Sequence, residues 1–125
     1  MDSEERINPD KGNRVAVFAS GGGSNFEVLA EARAEGKLDV EFSLLVSNNS
    51  GCGAAGKAEK RGIPFVHLSD SHFKSIGEYE RKLISCLTDY RIDIIVLAGY
   101  MKKIPGCVVR SFKNRILNIH PALLP

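Results

Sequence analysis

An α/β fold on an open, mostly parallel sheet with helices on both faces is the class this sequence predicts, from three observations. Short apolar runs, Val15-Ala16-Val17-Phe18-Ala19 and Ile94-Ile95-Val96-Leu97, are continuous rather than alternating, as in strands buried on both sides. Segments with helical spacing separate such runs along the chain, which implies parallel strands joined by right-handed crossovers. A glycine cluster, Gly21-Gly22-Gly23, stands where the first strand would hand over to the first helix.

Taken in order, residues 1–13 read as a polar leader with Asp2, Glu4, Glu5 and Arg6, lacking the apolar core of a signal peptide. One α/β domain, 14–125, follows. Its first strand runs to Ser20, and a helix is predicted over Phe26–Glu35, with Ser24 and Glu27 spaced as a capping box and Gly36 as the stop. Val40–Ser47 reads as the second strand, Cys52–Arg61 as a helix closed by Gly62, and Pro64–Leu68 as the third strand. Ile76, Tyr79, Leu83, Ile84, Leu87 and Tyr90 recur at helical spacing behind Ser75 and Glu78, a second capping box, and predict a long helix over Ile76–Tyr90. Asp93–Ala98 is the fourth strand. A turn at Gly99, a short helical turn over Pro105–Ser111 and a strand over Arg115–His120 complete the pattern.

With 43% hydrophobic and 26% charged residues in 125, the chain has an ordinary globular composition. Its net charge of +2 is too small to imply a nucleic-acid partner. Residues 94–125 hold no Asp or Glu and carry Lys102, Lys103, Arg110, Lys113 and Arg115, which read as a solvated basic face. No apolar run has membrane-spanning length. Cys52, Cys86 and Cys107 are odd in number and widely spaced, fitting neither a disulfide framework nor a metal site, so reduced thiols in a cytoplasmic protein are expected. His67 and His72 show no metal-ligand spacing and read as structural or exposed.

Three segments carry candidate chemistry. A glycine turn opening a helix leaves backbone N–H groups exposed at the positive end of the helix dipole, so Gly23, Ser24 and Asn25 are candidates for holding a phosphate. The competing reading is a tight turn that only lets helix and strand pack. The segment fails as a dinucleotide fingerprint, since Phe26 stands where the last glycine belongs, and it lacks the Gly-Lys-Ser/Thr of a P-loop. Gly99-Tyr100-Met101-Lys102-Lys103-Ile104 offers flat apolar side chains and backbone groups suited to a planar heterocycle, or else a Tyr and Met that cap the core. Asn118 and His120 alternate along a strand, which puts them on one face with Cα atoms roughly 6.5 Å apart. Two such donors suit a developing oxyanion in acyl transfer. No Ser, Thr or Cys stands beside a base, which favours direct transfer to an incoming amine over a covalent acyl-enzyme. Strand carboxyl ends gather ligands in open α/β sheets, so all three segments share one edge.

Together, Ser20-Gly21-Gly22-Gly23-Ser24-Asn25, Leu97-Ala98-Gly99-Tyr100-Met101 and Leu117-Asn118-Ile119-His120-Pro121-Ala122-Leu123-Leu124-Pro125 resemble the glycinamide ribonucleotide formyltransferase family, from about Arg14 to the last residue. The resemblance implies a Rossmann-like fold and transfer of a formyl group from the cosubstrate 10-formyltetrahydrofolate to 5-phosphoribosylglycinamide, in purine biosynthesis. It implies phosphate binding by Gly23, Ser24 and Asn25. It implies a folate pocket lined by Met101, Lys102, Lys103 and Ile104, largely through backbone contacts, with Asn118 at the formyl group and His120 as the catalytic histidine. Ile76 stands where the family often has a basic residue for the folate tail. The resemblance further implies a catalytic aspartate and more strands beyond the matched part, and no Asp or Glu after Asp93 matches that aspartate. Little or no transferase activity is therefore expected of these 125 residues alone. Methionyl-tRNA formyltransferase and formyltetrahydrofolate deformylase are similar around Asn118-Ile119-His120, and the Gly21–Asn25 loop argues against both. A noncatalytic nucleotide- or folate-binding module is the reading from another class.

Overall fold

A computed structural model of the chain describes residues 12–119. The strands are β1 (Arg14–Phe18), β2 (Glu41–Ser47), β3 (Phe65–His67), β4 (Ile94–Ala98) and β5 (Ile116–Ile119). Helices α1 (Ser24–Ala34), α2 (Gly53–Lys60), α3 (Ile76–Asp89) and α4 (Gly106–Ser111) alternate with them, and a 3₁₀ turn over Asp70–His72 precedes α3. The sheet order is β3-β2-β1-β4-β5, and every pairing is parallel. This is the predicted class, with boundaries within a residue or two of those read from the sequence.

Buried apolar side chains on both faces explain the continuous hydrophobic runs. Val15 and Val17 of β1 enter one core with Phe26 and Ala30 of α1 and Ala54 and Ala58 of α2. Ala16 and Phe18 enter the other with Tyr79, Leu83 and Leu87 of α3 and Val108 of α4. Successive side chains on β1 thus serve opposite layers. Arg14 fastens the lower rim: its backbone N–H donates to Asp93 Oδ2 at 3.1 Å, and its side chain donates to the Tyr90 carbonyl at 2.9 Å and meets Glu41 at 3.3 Å.

The two capping boxes part ways. Ser75 caps α3 as predicted, its Oγ accepting from the Glu78 N–H at 3.2 Å. Ser24 does not cap α1. It lies inside the helix, and the cap is Gly23, in a left-handed conformation with φ +83° and without any side-chain hydrogen bond to the helix. Glu27 turns to Arg61 of the α2 terminus at 3.0 Å, and the hydrogen bond from that guanidinium holds its carboxyl below the usual range. Ser75→Ala is expected to destabilise the protein by about 1 kcal/mol, read as a lower Tm. Ser24→Ala should leave Tm almost unmoved, and the reverse order of effects would contradict this assignment of caps.

Candidate functional site

β1 sits between β2 and β4, with α1 crossing on one face of the sheet and α3 on the other. The loops leaving β1 and β4 therefore diverge at a switch point and open a crevice at their carboxyl ends. The glycine turn and the Gly99–Ile104 segment are those two loops, so the topology brings two of the three candidate segments together.

The glycine turn does two jobs. A Cβ at Gly23 would lie 2.7 Å from Ala54 Cα, and one at Gly53 would lie 2.8 Å from the Gly22 carbonyl oxygen, so the turn and the start of α2 fit only because both positions lack side chains. The Ala54 N–H donates to the Gly21 carbonyl at 3.3 Å across this contact. Packing thus accounts for Gly23. It leaves the first turn of α1 without a side-chain cap, with Ser24 exposed, so the first N–H groups of the helix have no side-chain acceptor. Asn25 is buried, and its Nδ2 would lie 3.8 Å from a Cβ on Gly99, which places its amide between the two loops.

Ser20, at the end of β1, ties three loops into one body. Its backbone N–H donates to the Gly99 carbonyl at 3.3 Å, while its Oγ accepts from the Met101 N–H at 2.8 Å and donates to Asn48 Oδ1 at 2.6 Å. Asn49 Nδ2 reaches the Ser20 carbonyl at 3.5 Å. The sequence marks Ser20 only as the residue that opens the glycine motif, and it marks Asn48 and Asn49 by nothing. These partners lie 28 to 81 positions apart, and no local pattern marks them.

On the α3 face, the loops after β2, β3 and β4 and the start of α3 enclose a cavity of about 340 Å³. Lys102, Lys103 and Ile104 line it, together with Asn48, Leu68, Asp70, Ile76, Tyr79 and Glu80. Met101 does not: its side chain is 81% exposed and its N–H is committed to Ser20. Tyr100 packs edge-on against Phe18 at 5.3 Å and caps the core. Burial first, then its hydrogen bond with Tyr79 and the nearby Asp70, raises its phenol well above the ordinary range, so it stays protonated. Tyr100 thus takes the core-capping role of the two considered for it, and the heterocycle-sized space lies beside it.

Asn118 pairs with Leu97 in the β4–β5 register and is exposed. Two residues beyond Ile116, which packs in the α3-side core, its side chain belongs to the same sheet face as the cavity. His120 lies outside the described residues. His67 Nε2 is 3.2 Å from the Asn48 carbonyl, and its ring meets His72 edge-on at 5.1 Å. Among the described residues no three His, Cys, Asp or Glu side chains cluster as metal ligands, and no helix is long and apolar enough to cross a membrane.

Comparison with known proteins agrees with this architecture. The chain is 41% identical over 112 residues to a chloroplastic phosphoribosylglycinamide formyltransferase of Vigna unguiculata, covering 90% of this chain and 36% of that protein. It is 44% identical over 113 residues to the protein of the same name in Arabidopsis thaliana, covering 90% and 39%. It thus spans well under half the length of these curated relatives. Among solved structures, a glycinamide ribonucleotide transformylase 1 of Geobacillus kaustophilus superposes with a TM-score of 0.83 at 35% identity, over 90% of this chain and 60% of that one. A family profile described as formyl transferase matches residues 13–125. With nearly the whole chain inside that profile, the chain belongs to the formyl transferase family.

Proposed function

We propose that this chain furnishes the ligand crevice of a phosphoribosylglycinamide formyltransferase, which moves the formyl group of 10-formyltetrahydrofolate to the amine of 5-phosphoribosylglycinamide. The products are formylglycinamide ribonucleotide and tetrahydrofolate. One observation carries the reading: an uncapped helix start suited to a phosphate and a 340 Å³ cavity suited to a heterocycle open at one switch point, joined through Ser20. The names and identities of the relatives support the choice of substrates.

In this scheme the first turn of α1, at Gly23, Ser24 and Asn25, holds the substrate phosphate. Lys102, Lys103 and Ile104 wall the folate cavity, whose apolar Leu68 and Ile104 suit ring faces and whose polar rim suits ring edges. Met101 contributes its backbone carbonyl side, because its N–H is already taken. The amine lone pair attacks the formyl carbon, the carbonyl oxygen gains negative charge, and Asn118 and His120 donate to that oxygen. Collapse of the tetrahedral intermediate restores the carbonyl and breaks the bond to the folate nitrogen, which leaves with one proton as the attacking nitrogen gives one up. The three cysteines, all free, support a cytoplasmic setting.

Tetrahydrofolate release from 10-formyltetrahydrofolate in the presence of phosphoribosylglycinamide tests the proposal. A protein carrying these residues at the full length of the relatives is expected to turn over. Turnover with another formyl acceptor, and none with phosphoribosylglycinamide, would sink the substrate assignment.

A further inference from the structure

The hydrogen bonds through Ser20 run in one direction, from the Met101 N–H to the Ser20 hydroxyl and from that hydroxyl to the Asn48 amide oxygen. The Met101 backbone N–H can only donate, and it donates to Ser20 Oγ. The Ser20 hydroxyl has a single proton and passes it to Asn48 Oδ1 at 2.6 Å. An asparagine that accepts through its oxygen presents its NH₂ on the other branch of the amide. Asn48 lines the 340 Å³ cavity, and its Nδ2 meets no protein acceptor among the described residues. Its backbone is anchored too, with the Asn48 carbonyl 3.2 Å from His67 Nε2.

We propose that Asn48 is a specificity-determining residue of the cavity, giving its Nδ2–H to an acceptor on the edge of a bound planar heterocycle, with Ser20 as the positioning residue that orients the amide. The proposal rests on the formyl-transfer reading, in which the heterocycle is the pterin of 10-formyltetrahydrofolate. Among the described lining residues Asn48 carries the only amide. Ionised Asp70 and Glu80 can only accept, and Lys102 and Lys103 donate from long, exposed stems. A short amide held at one end by a buried hydroxyl loses little freedom when it binds, so it discriminates between an acceptor and a donor better than a mobile lysine does.

Calorimetric titration of the 125-residue chain with 10-formyltetrahydrofolate tests this, since every residue invoked lies within the chain. Asn48→Asp keeps an oxygen for Ser20 and replaces the donor by a second acceptor, so Kd should rise about 10- to 30-fold while Tm and the slow exchange of the Met101 amide hydrogen are retained. Ser20→Ala should weaken binding several-fold and speed exchange at Met101, because that N–H loses its acceptor. Should Asn48→Asp fail to fold, Asn48→Ala is expected to show the same loss of affinity. Equal affinity in wild type and the Asn48 variants overturns the role of Asn48 and leaves the formyl-transfer reading standing. No binding by the wild-type chain overturns both.

Discussion

Gly23→Ala is expected to destabilise the protein by about 2–5 kcal/mol and to abolish phosphate binding. Two costs combine. At φ +83° any side chain is strained, by about 1–2 kcal/mol for an L-residue in the left-handed region. The new methyl would also stand 2.7 Å from Ala54 Cα and 2.9 Å from Ala54 Cβ, on a helix whose backbone cannot swing away like a side chain, and such overpacking typically costs about 1–3 kcal/mol. Separation of α1 from α2 would relieve the clash and would displace the first turn of α1, the candidate phosphate site. Gly36 provides the control. It has φ +81° and nothing within 4 Å of a built Cβ, so Gly36→Ala should cost only the conformational part, and phosphate titration should be unaltered. Equal Tm losses at the two positions would remove the Ala54 contact from the account.

His120→Ala, in a form that turns over, is expected to lower kcat by about 10²- to 10³-fold, as for loss of a donor to an oxyanion, with both KM values and Tm nearly unchanged. The reason lies in when the contact matters. The formyl oxygen is only weakly basic in the ground state and becomes an anion as the amine attacks, so a donor aimed at it acts in the transition state and hardly at all in binding. The two substitutions should thus separate cleanly, Gly23→Ala acting on stability and phosphate affinity, His120→Ala on turnover. A variant at His120 that bound substrate poorly but turned over normally would move the histidine out of the chemistry and into binding.

Most of the architecture could be read from residue order, because each element declares itself locally. Continuous apolar runs at Val15–Ala19 and Ile94–Leu97 mark strands covered on two sides, and the Ile76–Tyr90 periodicity with Ser75 and Glu78 marks a capped helix. The same capping pattern misled at Ser24 and Glu27. There a non-local contact decides: Ala54 presses on Gly23, the left-handed glycine takes the cap, and Glu27 is drawn to a guanidinium 34 positions away. The site follows this division. Its glycine turn and its Lys102–Ile104 wall were visible as motifs, whereas the Ser20–Asn48–Met101 linkage, which fixes how the loops sit, joins residues with no common local signal. Tyr100 and Met101 show the same limit from another side, since adjacent apolar residues in a loop carry no mark of which turns inward. Phe18 takes the tyrosine, and the methionine is left in solvent.

The central place of β1 has a consequence for the order in which the molecule can form. Among the described strands, the one earliest in the chain is flanked on both sides, and its β4 partner is about eighty residues later, as the Arg14–Asp93 hydrogen bond across 79 positions shows. During synthesis β1, β2 and β3 can pair with α1 and α2 laid over them while the far edge of β1 stays bare. Long-range closure of this kind is slow, and an unpaired central edge is exposed to wrong partners in the meantime. Both walls of the crevice wait on that closure, because Ser20 has no Met101 amide to receive until β4 has docked. A nascent chain released before β4 would therefore hold a formed glycine turn and no crevice.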